Sequence, residues 1–213
     1  MVRVKICGIT NYQDAAIAVE SGADAIGLIF ARSPRHITPE KAREIICAMP
    51  PFVQTVGVFV NEKPDAIRQI MRFCGLDLIQ FHGDEAPEVC GGFMPKAIKA
   101  FRPRDGSVLQ WIKPYHGKIK AILLDTYAEE SRGGTGKIFD WDLAVRGKDL
   151  EIPIILSGGL TPSNIERAIS TVNPFAVDVN SGVEKRPGKK DRLLVRELME
   201  KIRKVNHKGQ LDE

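Results

Sequence analysis

Residues 4–30 read VKICGITNYQDAAIAVESGADAIGLIF. The apolar and β-branched runs Val4–Cys7 and Ala25–Phe30 predict two strands, and the region between them has the apolar spacing of a helix. Thr10 followed three residues later by Gln13 predicts a capping box at the start of that helix. The stretch therefore predicts a strand, a helix and a second strand, which is the repeating unit of a parallel α/β sheet.

The same unit recurs along the chain at intervals of about 25 residues. Several of the apolar runs are apolar on both faces, as buried parallel strands are. Thr38-Pro39 and Thr161-Pro162 each predict a helix start, because a threonine N-cap precedes a proline at the first helical position. The predicted strands are Val4–Cys7, Ala25–Phe30, Thr55–Val60, Leu78–His82, Lys96–Phe101, Ala121–Asp125, Ile154–Leu156 and Phe175–Val179. Eight parallel strands close on themselves, so the sequence predicts one α/β domain, a (β/α)8 TIM barrel with outer helices.

The composition is that of an ordinary soluble protein. The chain has 213 residues and a formal net charge of +4, with 31 Lys and Arg against 27 Asp and Glu. Because these charges are dispersed, nucleic acid is not an expected partner. No apolar run approaches the roughly 20 residues that span a bilayer, so a membrane role is not expected either. The N-terminus does not resemble a signal peptide, and we expect a cytoplasmic protein, either a monomer or a homodimer.

The cysteines and the basic residues do not predict further sites. The four cysteines are Cys7, Cys47, Cys74 and Cys90. Their wide spacing disfavours disulfides and a metal site, so free thiols are expected. The basic run KRPGKK at residues 185–190 predicts a solvated loop or, beside a phosphate pocket, a patch that attracts an anionic substrate. We place the barrel domain at residues 1–205 and a polar C-terminal tail at residues 206–213.

Glycine-bearing loops follow the seventh and eighth predicted strands. In this fold the active site lies at the C-terminal ends of the strands, and these two loops often bind phosphate. Gly158 and Gly159 follow the seventh strand, and Ser181 and Gly182 follow the eighth. Backbone amides there can approach an oxyanion without interference from a Cβ atom. A phosphate site is therefore predicted. The alternative is that the glycines only allow the chain to turn into the next helix, which would explain one such loop better than two.

Two residues at strand ends are candidates for proton transfer. Asp125 ends the apolar run 121–124, where partial desolvation would favour the protonated carboxyl of a general acid; a carboxylate that caps the next segment is the alternative. Cys7 lies two residues after Lys5, so strand alternation points both side chains the same way. The nearby helix start would favour a thiolate, which suits a general base, although a lone cysteine is more often an inert buried thiol.

Three further features lie close to the predicted pocket. Arg35, in the loop after the second strand, has the fork geometry that binds a carboxylate, with a solvent-exposed arginine as the alternative. His82 closes the fourth strand and could be a proton donor, a substrate contact or a structural histidine, and the sequence assigns it no catalytic role. The run GGTGK at residues 133–137 lacks the spacing of a nucleotide-binding P-loop, and it predicts either a mobile flap or a plain flexible loop.

Seven motifs in succession resemble those of the phosphoribosylanthranilate isomerase family. They are KICGIT at 5–10, SPR at 33–35, QFHGDE at 80–85, LDT at 124–126, GGTG at 133–136, LSGGL at 156–160 and DVNSGVE at 178–184. The motifs cover nearly the whole chain in order, and their conjunction is highly specific. Phe81 and Asn180 are modest departures from the usual residues of the family, and neither affects the proposed acid or base.

The resemblance implies an Amadori rearrangement of N-(5-phosphoribosyl)anthranilate in tryptophan biosynthesis, without a cofactor or metal. By that resemblance, Asp125 protonates the furanose ring oxygen and opens the ring to a Schiff base, and Cys7 then removes the C2 proton. Arg35 would hold the anthranilate carboxylate, and the two glycine loops would hold the phosphate. Asp178 and His82 are expected among the substrate contacts.

Other barrel functions are less consistent with the residues. The histidine-pathway isomerase that performs the same rearrangement uses two aspartates in two similar halves, whereas Cys7 takes one of those positions here. A ribulose-phosphate epimerase would need a histidine-rich metal site, and this chain has four scattered histidines. A catalytically silent phosphate-binding barrel stays open, although the presence of both Cys7 and Asp125 argues against it.

Overall fold

A computed structural model describes residues 1–102, 108–125, 141, 144–145 and 150–211. Within these residues, eight parallel strands form a closed barrel in sequence order, from β1 to β8. The strands are β1 (Arg3–Ile6), β2 (Ala25–Ile29), β3 (Gln54–Phe59), β4 (Leu78–Phe81), β5 (Ala97–Phe101), β6 (Ala121–Asp125), β7 (Ile154–Ser157) and β8 (Ala176–Val179). The predicted TIM barrel is confirmed, with strand ends that differ from the predicted ones by one residue at most.

Helices connect the strands on the outside of the barrel. Those with defined bounds are α1 (Tyr12–Glu20), α2 (Pro39–Cys47), α3 (Pro64–Cys74), α4 (Pro87–Gly91), α5 (Val108–Ile112), α6 (Ile165–Val172) and α7 (Arg192–Leu211). Short 3₁₀ turns cover Lys113–Tyr115 and Ser181–Val183, and the strands β9 (Glu184–Arg186) and β10 (Lys189–Lys190) form a hairpin before α7. The predicted flap at residues 133–137 lies outside the described residues.

One predicted helix start is confirmed and one capping pattern is wrong. Thr38 caps α2, where its side chain accepts a 3.4 Å hydrogen bond from the Lys41 amide. At α1 the N-cap is Asn11 rather than Thr10, and its side-chain oxygen accepts a 2.9 Å bond from the amide of Asp14. The Thr10 hydroxyl is engaged elsewhere, since it donates a 2.7 Å bond to the carbonyl of Gly188. A long-range contact therefore replaces the predicted capping box.

The start of α6 also differs from the prediction. The helix begins at Ile165 with Asn164 at its N-cap, so Thr161-Pro162 lies in a turn before the helix. The Asn164 side chain closes this turn, because it accepts a 2.9 Å bond from the Thr161 amide and donates a 2.9 Å bond to the carbonyl of Gly159. The same side chain thus connects the helix start to the glycine loop after β7.

The barrel interior changes from apolar to polar along the strands. Its apolar layer consists of Val56, Ile98, Ala100, Ala121, Leu123, Ile155 and Ala176. Polar side chains also point into the barrel, and Lys5 of β1, Gln80 of β4 and Asp178 of β8 are all buried. The larger apolar cluster packs between the strands and the helices. The apolar layer therefore stabilises the inside of the barrel, and the polar groups lie towards the C-terminal ends of the strands.

The C-terminal helix joins the two ends of the chain. The amide side chain of Asn206 accepts a 2.7 Å hydrogen bond from the Val2 amide and donates a 3.2 Å bond to the Val2 carbonyl. The helix α7 runs past residue 205, and the division into a domain and a tail at that point stays a prediction. In the described part of the chain, the length and polarity of the helices rule out a membrane-spanning one.

Candidate active site

A cavity of about 530 Å³ opens at the C-terminal ends of the strands. This volume is within the range of pockets that hold small ligands. Every residue that the sequence singled out for the site lines this cavity: Cys7, Arg35, His82, Asp125, Gly158, Gly159, Asp178, Ser181 and Gly182. The strand ends therefore bring together residues that are far apart in the sequence.

Cys7 lies directly after β1, and its thiol is buried. The Cys7 amide donates a 2.9 Å bond to the carbonyl of Val179, which holds the residue against β8. Burial raises the pKa of the Cys7 thiol above its ordinary value, while the nearby ammonium groups of Lys5 and Lys190 oppose this rise. The direction is opposite to the expectation that the helix start favours a thiolate, because desolvation of the thiol outweighs the nearby positive charges.

Lys5 connects Cys7 to two other buried side chains. Its ammonium donates 2.9 Å bonds to Oδ2 of Asp178 and to Oε1 of Gln80. Burial alone would lower the pKa of Lys5, but Asp178 and Cys7 raise it above its ordinary value, so the lysine is a cation at neutral pH. The second oxygen of Asp178 is buried without a hydrogen-bond partner among the described residues. Strand alternation predicts Lys5 beside Cys7, but no local sequence signal predicts its ion pair with Asp178.

Asp125 ends β6 on the opposite side of the cavity, with its side chain one-fifth exposed. Its Oδ2 atom lies 3.2 Å from Nε2 of His82 and 3.7 Å from Nε of Arg102. The other ring nitrogen of His82, Nδ1, lies 3.0 Å from Nε2 of Gln80. Asp125 thus has the partial burial that the sequence predicts, together with an imidazole partner that sequence reasoning missed.

Arg35 lies at the cavity wall and already binds a carboxylate of this chain. Its Nε atom donates bonds of 2.9 and 3.1 Å to the two oxygens of Glu184, and Nη2 donates a third bond of 2.7 Å. Glu184 raises the pKa of Arg35. The predicted fork geometry is present, but a substrate carboxylate would have to share the guanidinium with Glu184. The sequence signal that could have identified this pair is the carboxylate of Glu184, which directly follows the glycine-bearing loop after β8.

The basic run at residues 185–190 is partly structural. Lys185 is exposed, whereas the side chain of Lys190 is fully buried and donates to Oε1 of Glu184 at 3.0 Å and to both oxygens of Asn180 at 3.1 Å. Burial lowers the pKa of Lys190. The interpretation as a solvated loop is therefore wrong for Lys190, which holds the loop after β8 in place from below.

The two glycine loops meet at the far end of the cavity. Gly158 and Gly159 have φ angles of 91° and 62°, in the left-handed region that favours glycine. At Gly182, a Cβ atom would lie 1.9 Å from the carbonyl oxygen of Leu160, so no side chain fits there. The loop after β8 approaches the backbone of Leu160 this closely because position 182 has no side chain. Exposed amides in such loops are suited to bind a phosphate group.

A closed parallel barrel with glycine loops after its last two strands, and with titratable groups facing one cavity, is typical of TIM-barrel enzymes that act on phosphorylated substrates. Residues 4–201 match the model of the family described as N-(5'phosphoribosyl)anthranilate (PRA) isomerase. The chain belongs to this family. The resemblance inferred from the seven motifs is confirmed.

Individual relatives agree with the family. N-(5'-phosphoribosyl)anthranilate isomerase of Geobacter sulfurreducens is 52% identical over 204 residues, which are 95% of this chain and 99% of the relative. A crystal structure of monomers generated from the dimeric phosphoribosylanthranilate isomerase of Thermotoga maritima has a TM-score of 0.85 at 42% identity and covers 96% of this chain and 100% of that one. A phosphoribosylanthranilate isomerase in complex with reduced 1-(o-carboxyphenylamino)-1-deoxyribulose 5-phosphate has a TM-score of 0.83 at 42% identity, with the same coverage.

Proposed function

We propose that this protein converts N-(5'-phosphoribosyl)anthranilate to 1-(2-carboxyphenylamino)-1-deoxyribulose 5-phosphate, an isomerisation in L-tryptophan biosynthesis. The observation that carries the proposal is the position of Cys7 and Asp125 in one cavity that ends in two glycine loops. Membership of the isomerase family supports the same reaction. The reaction is an internal oxidation and reduction, in which C2 of the sugar is oxidised as C1 is reduced, so proton transfers suffice and no cofactor or metal is required.

The proposed mechanism uses one acid and one base. Asp125 gives its proton to the furanose ring oxygen, the bond between that oxygen and C1 breaks, and the anthranilate nitrogen forms a Schiff base with C1. Cys7 then takes the proton from C2, which leaves an enolamine that tautomerises to the ketone. Positioned acids and bases of this kind typically contribute about 100- to 10,000-fold each. Because burial raises the pKa of Cys7, the thiolate that accepts this proton would be more basic than that of an exposed cysteine.

Binding is divided between the two ends of the cavity in this proposal. The amides of Gly158, Gly159, Ser181 and Gly182 bind the phosphate. Arg35 binds the anthranilate carboxylate, in competition with Glu184. Asp178 has a buried oxygen without a hydrogen-bond partner in the described part of the chain, and this oxygen is suited to accept a bond from a sugar hydroxyl. His82 also lines the cavity and completes the proposed substrate contacts.

The experiment that tests the mechanism follows the fluorescence decay of substrate generated in situ. Cys7→Ala and Asp125→Asn should each lower kcat by about 100- to 10,000-fold, while both variants keep their fold and their affinity for a phosphate-containing product analogue. Cys47→Ala is the matched control, because Cys47 is an exposed thiol outside the cavity. Wild-type protein that binds the analogue but does not consume the substrate would contradict the proposal and favour a silent phosphate-binding barrel.

Location and assembly belong to the same proposal. A pathway enzyme with a small phosphorylated substrate is expected in the cytoplasm, and we retain that expectation. The oligomeric state is proposed to be a monomer or a homodimer, and sedimentation equilibrium of the full chain distinguishes the two. A larger assembly would contradict this part of the proposal and leave the assignment of the reaction unaffected.

A further inference from the structure

We propose that Gln80 is a positioning residue that sets the tautomer of His82, and that His82 thereby donates a hydrogen bond from Nε2 to the general acid Asp125. The proposal rests on the role given to Asp125 in the proposed function. The four side chains Lys5, Gln80, His82 and Asp125 form one continuous series of contacts across the barrel. We refer to this series as the polar chain.

The donor and acceptor roles along the polar chain are fixed at its buried end, where Lys5 contacts Gln80. Lys5 and Gln80 are 4% and 1% exposed, and the ammonium nitrogen lies 2.9 Å from Oε1 of Gln80. An ammonium group has only donors, so it requires an acceptor at this distance. Lys5 is also held in place by its 2.9 Å ion pair with Asp178. The amide oxygen of Gln80 must therefore face Lys5, which fixes the amide nitrogen on the other side.

The orientation of the Gln80 amide decides which nitrogen of the His82 ring carries the proton. The amide nitrogen of Gln80 lies 3.0 Å from Nδ1 of His82, and a primary amide nitrogen only donates. Nδ1 of His82 must therefore accept the bond and carry no proton. In the neutral ring the proton then lies on Nε2, which is 3.2 Å from Oδ2 of Asp125. Each group along the polar chain consequently donates to the next, from Lys5 to Asp125.

The hydrogen bond from His82 to Asp125 would assist acid catalysis. When Asp125 gives up its proton, the carboxylate that forms accepts the bond from the Nε2 hydrogen of His82. Hydrogen bonds to an ionised acceptor are shorter and stronger than those between neutral groups. His82 would therefore stabilise the ionised acid that results from ring opening and hold the carboxyl group in one orientation. The opposite tautomer would present a lone pair to the carboxylate and repel it.

The discriminating variant is Gln80→Glu. An ionised carboxylate has acceptors only, so it can still accept from Lys5 but requires a proton on Nδ1 of His82. Long-range ¹H–¹⁵N correlation spectra of labelled protein identify the protonated ring nitrogen, and the signals of His82 are assigned by their loss in His82→Gln. We expect an unprotonated Nδ1 in the wild type and a protonated Nδ1 in Gln80→Glu. Gln54→Glu, the same change at an exposed position, should leave the signals of His82 unchanged.

A second measurement does not depend on a substitution. Neutron diffraction from deuterated wild-type crystals locates the deuterons directly, with one expected on Nε2 of His82 and the amide nitrogen of Gln80 facing Nδ1. A deuteron on Nδ1 in the wild type, or spectra of folded Gln80→Glu that keep an unprotonated Nδ1, would overturn the proposal. Both readouts are independent of turnover, so a failure of the tautomer assignment is seen separately from a failure of the proposed reaction.

Kinetics test whether the effect acts through Asp125. Gln80→Glu should lower kcat by about tenfold or more, with a smaller effect on KM, because the lost interaction forms as the acid ionises. In an Asp125→Asn background the same substitution should lower kcat by much less, since coupled residues are not additive. An equal loss in both backgrounds would overturn the positioning role and assign the effect to the neighbouring Lys5 and Cys7.

Discussion

At Cys7, burial and a neighbouring cation act in opposite directions on the thiol. Burial raises its pKa, and the ammonium group of Lys5 lowers it. Replacing Lys5 by methionine removes the opposing charge and leaves Asp178 as a buried anion, so the pKa of Cys7 should rise further. The thiolate is the reactive form, and its fraction increases as the pH rises through the pKa. Alkylation of Cys7 by iodoacetamide should therefore begin at a higher pH in Lys5→Met than in the wild type.

Peptide mass spectrometry measures this alkylation, with the exposed Cys47 as the reference in the same sample. Lys5→Arg keeps the charge and should stay closer to the wild type, and Lys41→Met removes a lysine from the surface helix α2 as a control. Lys5→Met should also be less stable, because removal of one partner from a buried ion pair costs about 3–5 kcal/mol. An unchanged pH profile in folded Lys5→Met would show that Lys5 does not act on the thiol.

Strand alternation was sufficient to place Lys5 and Cys7 on the same side of β1, but it did not give the direction of the pKa shift. For Lys5 that direction depends on its partner Asp178, some 173 positions away along the chain, which raises the pKa of Lys5 against the effect of burial. The pair forms because Lys5 lies opposite Asp178 in the register of β1 and β8. A single sequence gives the identity of such residues but not the register that brings them into contact.

At the level of the elements, the loop after β8 depends on the absence of a side chain at Gly182. A methyl group there would meet the backbone of Leu160, which cannot move as a flexible side chain would. Gly182→Ala should therefore separate the two glycine loops and weaken phosphate binding. We expect KM to rise about tenfold or more, equivalent to about 1.4 kcal/mol or more, with a smaller change in kcat.

Titration with inorganic phosphate, followed by calorimetry, measures this loss directly. Gly91→Ala in α4 is the matched control, because a Cβ atom there would meet its neighbours at ordinary contact distances of 3.5 Å or more. Unchanged phosphate affinity in Gly182→Ala would contradict the assignment of this loop as the phosphate site.

Local sequence signals predicted the elements better than their exact ends. Thr38-Pro39 starts α2 as predicted, because the capping bond joins residues within one turn. Thr10 does not cap α1, since its hydroxyl binds the carbonyl of Gly188. Asn164 takes the place of Thr161 because its side chain closes the turn after β7. In both cases the local sequence favours a threonine cap, but a hydrogen bond to a residue outside the helix decides which residue lies at the N-cap.

At the scale of the whole molecule, closure of the barrel explains why the predicted site residues line one cavity. Parallel strands all end at the same rim, so the polar residues predicted at six strand ends had to meet there once the fold was identified. Contacts between the loops could not be predicted in this way. Glu184 and Lys190, for example, complete the surroundings of Arg35 from a hairpin whose position depends on tertiary packing.

The ends of the chain provide a test of the proposed domain limit at residue 205. Asn206 makes two hydrogen bonds to the backbone of Val2, which directly precedes β1, and each such bond contributes about 1 kcal/mol. A chain of residues 1–205 should therefore fold and remain active, but its free energy of unfolding should be about 1–3 kcal/mol below that of residues 1–207. Urea denaturation followed by circular dichroism measures the difference, and Asn206→Ala in the full chain should reproduce most of it. If residues 1–205 do not fold, the domain extends into α7 beyond the proposed limit; if the two truncated chains are equally stable, the bonds to Val2 do not contribute to stability.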